Sequence, residues 1–274
     1  MFDSIAGDYD SLNHILSLDV DKIWRKKALK QIVDAPAPVQ VLDLACGTGD
    51  FSIAIAKALS RSHKRVVTPI EAHVKASVKA PVEAPAKAPV EAQVTSTGFV
   101  TGDSGRPDLM TMGHVTGVDM SDGMLAVMRE KVAKAGLTEM ISIEEGDGEN
   151  LRFPDNTFDR VTIAFGIRNF ENREKGLREM LRVLKPGGRL VILELSRPEN
   201  KVIRWFYDLY FLHILPKVGG KVSGDKAAYA YLPASVAAFP GKKAFMATMR
   251  EAGFRAVTHK AFTLGICRMY TGEK

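Results

Sequence analysis

Apolar residues in this chain gather in short runs, and between the runs they recur at helical spacing. The first run lies in Val41-Leu42-Asp43-Leu44-Ala45 and reads as a buried strand, which passes into Cys46-Gly47-Thr48-Gly49-Asp50 and a helix over 51–59. A second strand over 114–118 ends at Asp119 and precedes a helix over 123–135 that closes near Gly136. Ile141 and Ile143 mark a third strand that leads to Gly146-Asp147-Gly148. A fourth covers 158–165, and the helix after it, 173–184, stops at Pro186-Gly187-Gly188. The fifth, 189–195, holds Leu190, Val191, Ile192 and Leu193 in one block. Strands alternating with helices predict an α/β fold with a mostly parallel sheet and helices on both faces.

The two ends of the chain depart from this rhythm. Residues 1–34 read as helices, with Leu12, Ile15, Leu16, Leu18, Ile23, Trp24 and Leu29 forming an amphipathic cover ahead of the first strand. Near the C-terminus a helix over 242–252 ends at Gly253, and strands over 255–260 and 267–270 are joined by a short link at 263–265. So short a link holds no crossover helix, which makes these two strands antiparallel.

Two segments interrupt what otherwise reads as a single domain over 1–274. Between 65 and 113 the sequence becomes rich in Pro, Ala, Lys and Glu, with imperfect copies of Ala-Pro-Val-Glu-Ala-Pro and Lys-Ala-Pro-Val at its centre. It lacks the large apolar side chains of a core and reads as an extended or disordered insertion, a spacer in a surface loop. The segment 197–240 carries Trp205, Phe206, Tyr207, Tyr210 and Phe211 and reads either as ordinary core or as a helical substrate lid. Its position favours the lid, because it leaves the fifth strand at the end of the sheet where open parallel sheets hold their ligands.

Charge narrows the partners. The chain has 274 residues with 38 basic and 32 acidic side chains, a net charge of +6. Without a dense Arg/Lys run, nucleic acid is not an expected partner, whereas mild attraction to an anionic membrane surface is. Cys46 and Cys267 are the two cysteines, so neither a disulfide framework nor a thiolate metal cluster is expected, and no His-Glu-x-x-His points to metal. No apolar run reaches the roughly 18 residues of a membrane span, and the first residues lack a secretory pattern. The expected location is cytoplasmic, with peripheral attachment at the inner face of the membrane. A homodimer is compatible with the sequence.

The strand ends hold the candidate chemistry. Gly47 and Gly49 let the backbone turn tightly and approach a ligand, while Asp43 and Asp50 bring carboxylates that would repel a diphosphate. Ser52 stands where a dinucleotide fingerprint wants a third glycine. The turn therefore reads as a site for a nucleoside cofactor that is not anionic. Asp119 ends the second strand and serves either as a helix cap or as the acceptor of ribose hydroxyls. Asp147 and Gly148 are placed to face an adenine edge, or form a plain turn. Arg168 and Asn169 lie between Phe165-Gly166-Ile167 and Phe170, where a polar duty near the cleft suits them. Pro186-Gly187-Gly188 reads as a structural stop, and no Gly-x-Ser-x-Gly supports a hydrolase.

These motifs carry a resemblance. The turn at 41–50, Val118-Asp119-Met120-Ser121, Gly146-Asp147-Gly148-Glu149-Asn150-Leu151, Phe153-Pro154-Asp155-Asn156-Thr157-Phe158-Asp159 and Leu184-Lys185-Pro186-Gly187-Gly188 resemble the Rossmann-like, seven-stranded methyltransferases that use S-adenosylmethionine. More narrowly, Phe2-Asp3-Ser4-Ile5-Ala6 with Tyr9-Asp10, Phe165-Gly166-Ile167-Arg168-Asn169-Phe170, and 207–216 resemble the ubiquinone and menaquinone biosynthesis C-methyltransferases. The likeness covers nearly everything except the insertion. It implies a mostly parallel seven-stranded sheet with one antiparallel strand. It also implies cofactor contacts at Asp43, Gly47, Thr48, Gly49, Asp119, Met120, Asp147, Gly148 and Ala164. At Ala164 the family often has Ser, which leaves that contact to the backbone or a water.

The implied chemistry is methyl transfer to a ring carbon of a prenylated quinol. Demethylmenaquinol becoming menaquinol is the first choice, and 2-methoxy-6-polyprenyl-1,4-benzoquinol of the ubiquinone pathway is the second. Arg168 would stabilise the developing oxyanion with help from Asn169, and Tyr9, a nearby Asp or a water would accept the proton. The competing readings are a methyltransferase of another lipid or small aromatic acceptor, and a noncatalytic nucleoside-binding or scaffolding protein.

Overall fold

In the computed structural model, the described residues are 19–34, 39–61, 113–210 and 226–274. The insertion and the N-terminal segment with Tyr9 lie outside them, apart from residue 113 and the helix below. That helix, α1 (Val20–Ile32), precedes β1 (Gln40–Leu44), and α2 follows over 50–61. Then come β2 (His114–Asp119), α3 (Asp122–Lys134), β3 (Ile141–Glu145), β4 (Phe158–Ala164), α4 (Arg173–Val183) and β5 (Leu184–Leu195). The chain closes with α5 (Lys201–Leu209), α6 (Lys226–Ala238), α7 (Lys242–Glu251), β6 (Arg255–Phe262) and β7 (Cys267–Glu273).

Seven strands form one sheet in the order β3-β2-β1-β4-β5-β7-β6. The first five pair in parallel, and β7 runs antiparallel to both β5 and β6. The sequence reading of a seven-stranded, mostly parallel sheet with one antiparallel strand is what the structure shows. Strands β1, β2 and β3 step outward in one direction, and the chain then returns to lay β4 on the other side of β1. That reversal leaves a crevice outside the C-terminal ends of β1 and β4, the place where such sheets bind ligands.

Both faces of the sheet are covered, which is why the strands read as continuous apolar runs instead of alternating ones. Val41, Val115, Ile141 and Val191 pack on one face under Trp24, Ala28 and Ile32 of α1, Ile55 and Leu59 of α2, and Leu125, Met128 and Val132 of α3. On the other face Leu42, Leu44, Val161, Ile163 and Ile192 meet Leu177 and Met180 of α4 and Phe245 and Met249 of α7. Successive residues of one strand point to opposite faces, so Val191 and Ile192 serve different cores.

One boundary differs from the expectation. Pro186-Gly187-Gly188 does not separate helix from strand, because β5 already begins at Leu184, which pairs with Phe158. The glycines are absorbed as an irregularity before Arg189 pairs with Arg160, with Gly187 at φ 76°. The N–H of Lys274 donates to the Gly188 carbonyl at 3.1 Å, so the last residue of the chain satisfies this stretch. The segment 197–240 holds α5 and α6, with Pro233 inside α6.

Candidate functional site

The crevice floor is made of backbone held in a sparsely populated conformation. Ala45, directly after β1, has φ 48°, and Phe165, directly after β4, has φ 63°. Left-handed geometry at non-glycine residues costs of order 1–3 kcal/mol and persists where surrounding structure over-determines it. Here the two loops crowd each other: a Cβ on Gly166 would lie 2.5 Å from Ala45 Cβ. Gly47 and Gly49 follow at φ 55° and 81°, completing the turn into α2.

Asp119 ties this turn to β2. Its Oδ2 accepts the Gly47 N–H at 2.8 Å and its Oδ1 accepts the Ser121 N–H at 3.0 Å. The cap of α3 falls to Ser121, whose Oγ accepts the Met124 N–H at 3.2 Å. The carboxylate of Asp119 is thereby held at the strand end beside the turn, and the helix-cap reading of Asp119 is replaced by Ser121.

Ser52 explains the missing third glycine. Its hydroxyl donates to Asp43 Oδ2 at 2.6 Å. Burial of the Asp43 carboxyl pushes its pKa up to about 7, against the lowering effect of the Ser52 hydrogen bond and of the Arg25 charge. Asp50 behaves differently. Burial works against its charge, but hydrogen bonds and charge from Lys131 and Arg25 outweigh this and hold its pKa below the usual carboxylate range. Arg25 of α1 reaches Asp50 at 3.2 Å, and Lys131 of α3 pairs with it as well. Of the two carboxylates expected to repel a diphosphate, Asp50 is spent on an ion-pair cluster and Asp43 is the buried acid of the turn.

Two lobes open on the crevice and share Ala45, Gly47, Ala164 and Phe165. The smaller, of about 320 Å³, is also lined by Asp119, Met120, Gly146, Asp147, Gly148 and Asn169. Gly148 is required there, because a Cβ would lie 2.5 Å from the Phe170 ring. The larger, of about 480 Å³, takes Asp43, Thr48 and Arg168 together with apolar walls from α1, α5 and 263–266, among them Trp24, Ile203, Tyr207 and Ile266. Tyr207 is buried, and its hydroxyl pKa is pushed up by that burial. Gly49 lines neither lobe; a Cβ on it would meet Met128 Cγ at 2.5 Å, so packing against α3 explains this glycine.

Arg168 and Asn169 are neighbours in a 3-10 turn, Ile167–Asn169, yet they line different lobes. The Arg168 side chain is only 7% exposed, and its Nη1 donates to Glu194 Oε1 at 2.9 Å and to the Phe165 carbonyl. Glu194 is fully buried in β5 and accepts the Arg168 backbone N–H through Oε2 at 3.1 Å and the Leu195 N–H through Oε1 at 2.8 Å. Sequence reasoning passed over Glu194, although a carboxylate inside Leu190-Val191-Ile192-Leu193-Glu194-Leu195 signals a buried charge with a partner. It also passed over Trp24, Arg25 and Phe165. The Arg25 guanidinium sits 5.7 Å from the Phe165 ring centroid, and the Trp24 ring lies 6.2 Å away on the same wall.

Comparison with known proteins agrees with this geometry. A sequence model described as the ubiE/COQ5 methyltransferase family matches residues 1–274. The ubiquinone/menaquinone biosynthesis C-methyltransferase UbiE of Geobacter sulfurreducens is 41% identical over 274 residues, covering 100% of this chain and 87% of that protein. The demethylmenaquinone methyltransferase of Bacteroides fragilis is 38% identical, covering 100% of this chain and 91% of its own. Among solved structures, a SAM dependent methyltransferase from Aquifex aeolicus superposes with a TM-score of 0.51 at 17% identity, over 90% of this chain and 88% of that one. The [4+2]-cyclase SpnF does so with 0.56 at 15%, over 91% and 80%. At such identities these structures speak for the fold alone, and the second shows that the fold hosts other reactions. The match along the whole chain and the two-lobed crevice at the strand reversal place the protein in the ubiE/COQ5 methyltransferase family.

Proposed function

We propose that this chain transfers the methyl group of S-adenosylmethionine to a ring carbon of a prenylated quinol, turning demethylmenaquinol into menaquinol. The benzoquinol 2-methoxy-6-polyprenyl-1,4-benzoquinol is the second acceptor of the same kind. One observation carries the reading: a small lobe walled by acids and glycines meets a larger, mostly apolar lobe in which the Arg168 guanidinium is held on a buried glutamate. The names of the two relatives support the choice, since both include the menaquinone step.

The residues present fit the cofactor. Asp119 stands where ribose hydroxyls need an acceptor, and Met120, Asp147 and Gly148 border the remainder of the smaller lobe, where an adenine edge would lie. Gly47 and Thr48 line the turn toward the methionine end, and Ala164 offers its backbone at the junction. Asp43 is a buried acid suited to a cationic ligand, because a nearby positive charge favours its ionised form. When bound, S-adenosylmethionine supplies an electrophilic methyl on a sulfonium.

In the larger lobe, Arg168 faces the acceptor's oxygen and stabilises the oxyanion that makes the ring carbon nucleophilic. Apolar walls from α1 and α5 exclude water and align ring and methyl, an effect of about 7–11 kcal/mol where alignment is complete. The proton acceptor is Tyr9, which lies outside the described residues, a nearby Asp or a water.

The substrate's tail lies in the bilayer, and no helix among the described residues is long and apolar enough to span it. Peripheral contact at the inner membrane face through α5 reconciles the two. Val202, Trp205, Phe206 and Leu209 recur at helical spacing and are all exposed, on the helix whose Ile203 and Tyr207 line the acceptor lobe.

The test is incubation of the purified protein with labelled S-adenosylmethionine and a short-tailed demethylmenaquinol. A product one methyl heavier with the reduced acceptor, and none with the oxidised quinone, is expected. A folded protein that binds S-adenosylmethionine and methylates no prenylated quinol would sink the reading.

A further inference from the structure

The lid helix α6 touches the Arg168-Asn169 turn at two polar points. Tyr231 Oη donates to Asn169 Oδ1 at 2.9 Å, and Arg168 Nε donates to Ser235 Oγ at 3.3 Å. Tyr231 and Ser235 are four residues apart and therefore share one face of α6, while their partners are adjacent in the 3-10 turn. Ser235 is itself fixed, since its hydroxyl donates to the Leu232 carbonyl at 3.0 Å.

These contacts do more than fasten a helix. The apolar end of α6 already anchors it: Val236 is buried, and Phe239 just beyond packs on Phe245 with ring centroids 4.8 Å apart. What the polar contacts add is direction. An Asn amide can present either its carbonyl or its NH2 to a cleft, and its hydrogen-bond partners decide which. With Oδ1 occupied by Tyr231, the group that Asn169 has left for the smaller lobe is its NH2 donor. The same holds for Arg168. Nη1 is engaged by Glu194 and Phe165 and Nε by Ser235, so Nη2 is the guanidinium nitrogen without a partner among the described residues.

We propose that Tyr231 and Ser235 are positioning residues that act through Asn169 and Arg168. They hold the Asn169 amide as a donor facing the smaller lobe and aim the remaining guanidinium edge at the larger one, so that the first is set for an acceptor atom of the ligand there and the second for an oxyanionic acceptor. This rests on the quinol reading for the identity of the acceptor, while the orientation of the Asn169 amide stands independently of it.

The experiment is a cycle of Tyr231→Phe, Asn169→Ala and the double variant. S-adenosylmethionine affinity is measured by calorimetry, and kcat and KM with a short-tailed quinol. Tyr231→Phe should weaken S-adenosylmethionine binding roughly tenfold, the size of one misplaced hydrogen bond, with KM for the quinol little changed. Added to Asn169→Ala it should cost nothing more, because the two act as a unit. Side-chain amide resonances of Asn169 in 15N-labelled protein should shift in Tyr231→Phe. Wild-type S-adenosylmethionine affinity in Tyr231→Phe, losses that multiply in the double variant, or unmoved Asn169 resonances would each overturn the proposal. A wild-type protein inactive on every quinol but showing the resonance shift would overturn the quinol reading and uphold the positioning of Asn169.

Discussion

The smaller lobe of the cleft is walled by loops, one after each of β1 to β4, whereas the larger is walled chiefly by helices. Gly47, Asp119, Asp147 with Gly148, and Asn169 lie at or shortly after the ends of parallel strands, and that position places each of them in this lobe. The larger lobe draws on α1, α5, α6 and the link before β7, far apart along the chain. The difference teaches that the smaller lobe is a property of local strand-to-loop junctions, and the larger a property of how helices pack over them.

The largest expected effect separates the lobes at Arg168. Arg168→Ala strands the buried Glu194 carboxylate, a change that costs about 3–5 kcal/mol when one partner of a buried pair is removed. Urea unfolding should show that loss, and turnover on quinol should fall far more than S-adenosylmethionine affinity. Equal losses in both would mean the lobes are not independent.

Asp43 gives a pH signature on the cofactor side. Its folded pKa lies above the ordinary carboxylate value, so the unfolded chain ionises first. The apo protein should then lose stability as pH rises from about 4 to about 7, by at most about 1.4 kcal/mol per pH unit, and level off above. Cofactor binding should run the other way, tightening as Asp43 ionises up to about pH 7. Asp43→Asn should flatten both curves in calorimetry across that range, and a retained slope would assign it to another group.

Asp119→Asn is expected to weaken S-adenosylmethionine binding roughly 10- to 100-fold, about 1.5–3 kcal/mol for a hydrogen bond to a charged group, with quinol KM unchanged. Isothermal titration reads the first and initial rates the second. The smallest effect lies outside the cleft. Replacing exposed Val202 and Trp205 by Ser should reduce flotation with acidic liposomes and raise KM for a long-tailed quinol in vesicles severalfold. A short-tailed soluble acceptor should be processed as before.

Much of the fold was legible because its strands are buried on both faces and leave unbroken apolar runs such as 190–193. The short link at 263–265 likewise dictated the antiparallel β7. The boundary at Pro186-Gly187-Gly188 was not, since those glycines read as a stop until the chain terminus is seen bonded to them. That Gly47, Asp119, Asp147 and Gly148 share the smaller lobe follows from motif and strand-end position. Gly49 was assigned to the cofactor by the same pattern, yet its need is the space filled by Met128. Trp24, Arg25, Phe165 and Tyr231 were missed, because nothing in their own neighbourhoods distinguishes a cleft wall from a core or a solvated face.

By itself the sequence determined the alternation of strand and helix, the glycine turn and the acids at the strand ends, since these depend on local backbone preference and on periodic burial. Only the tertiary structure decided that Asp50 is consumed by Arg25 and Lys131, that Ser52 holds Asp43, and that Arg168 and Asn169 turn into different lobes beside α6. The reason is physical: charge state and direction depend on which groups share a buried space, and that sharing is settled by contacts between residues distant in the chain.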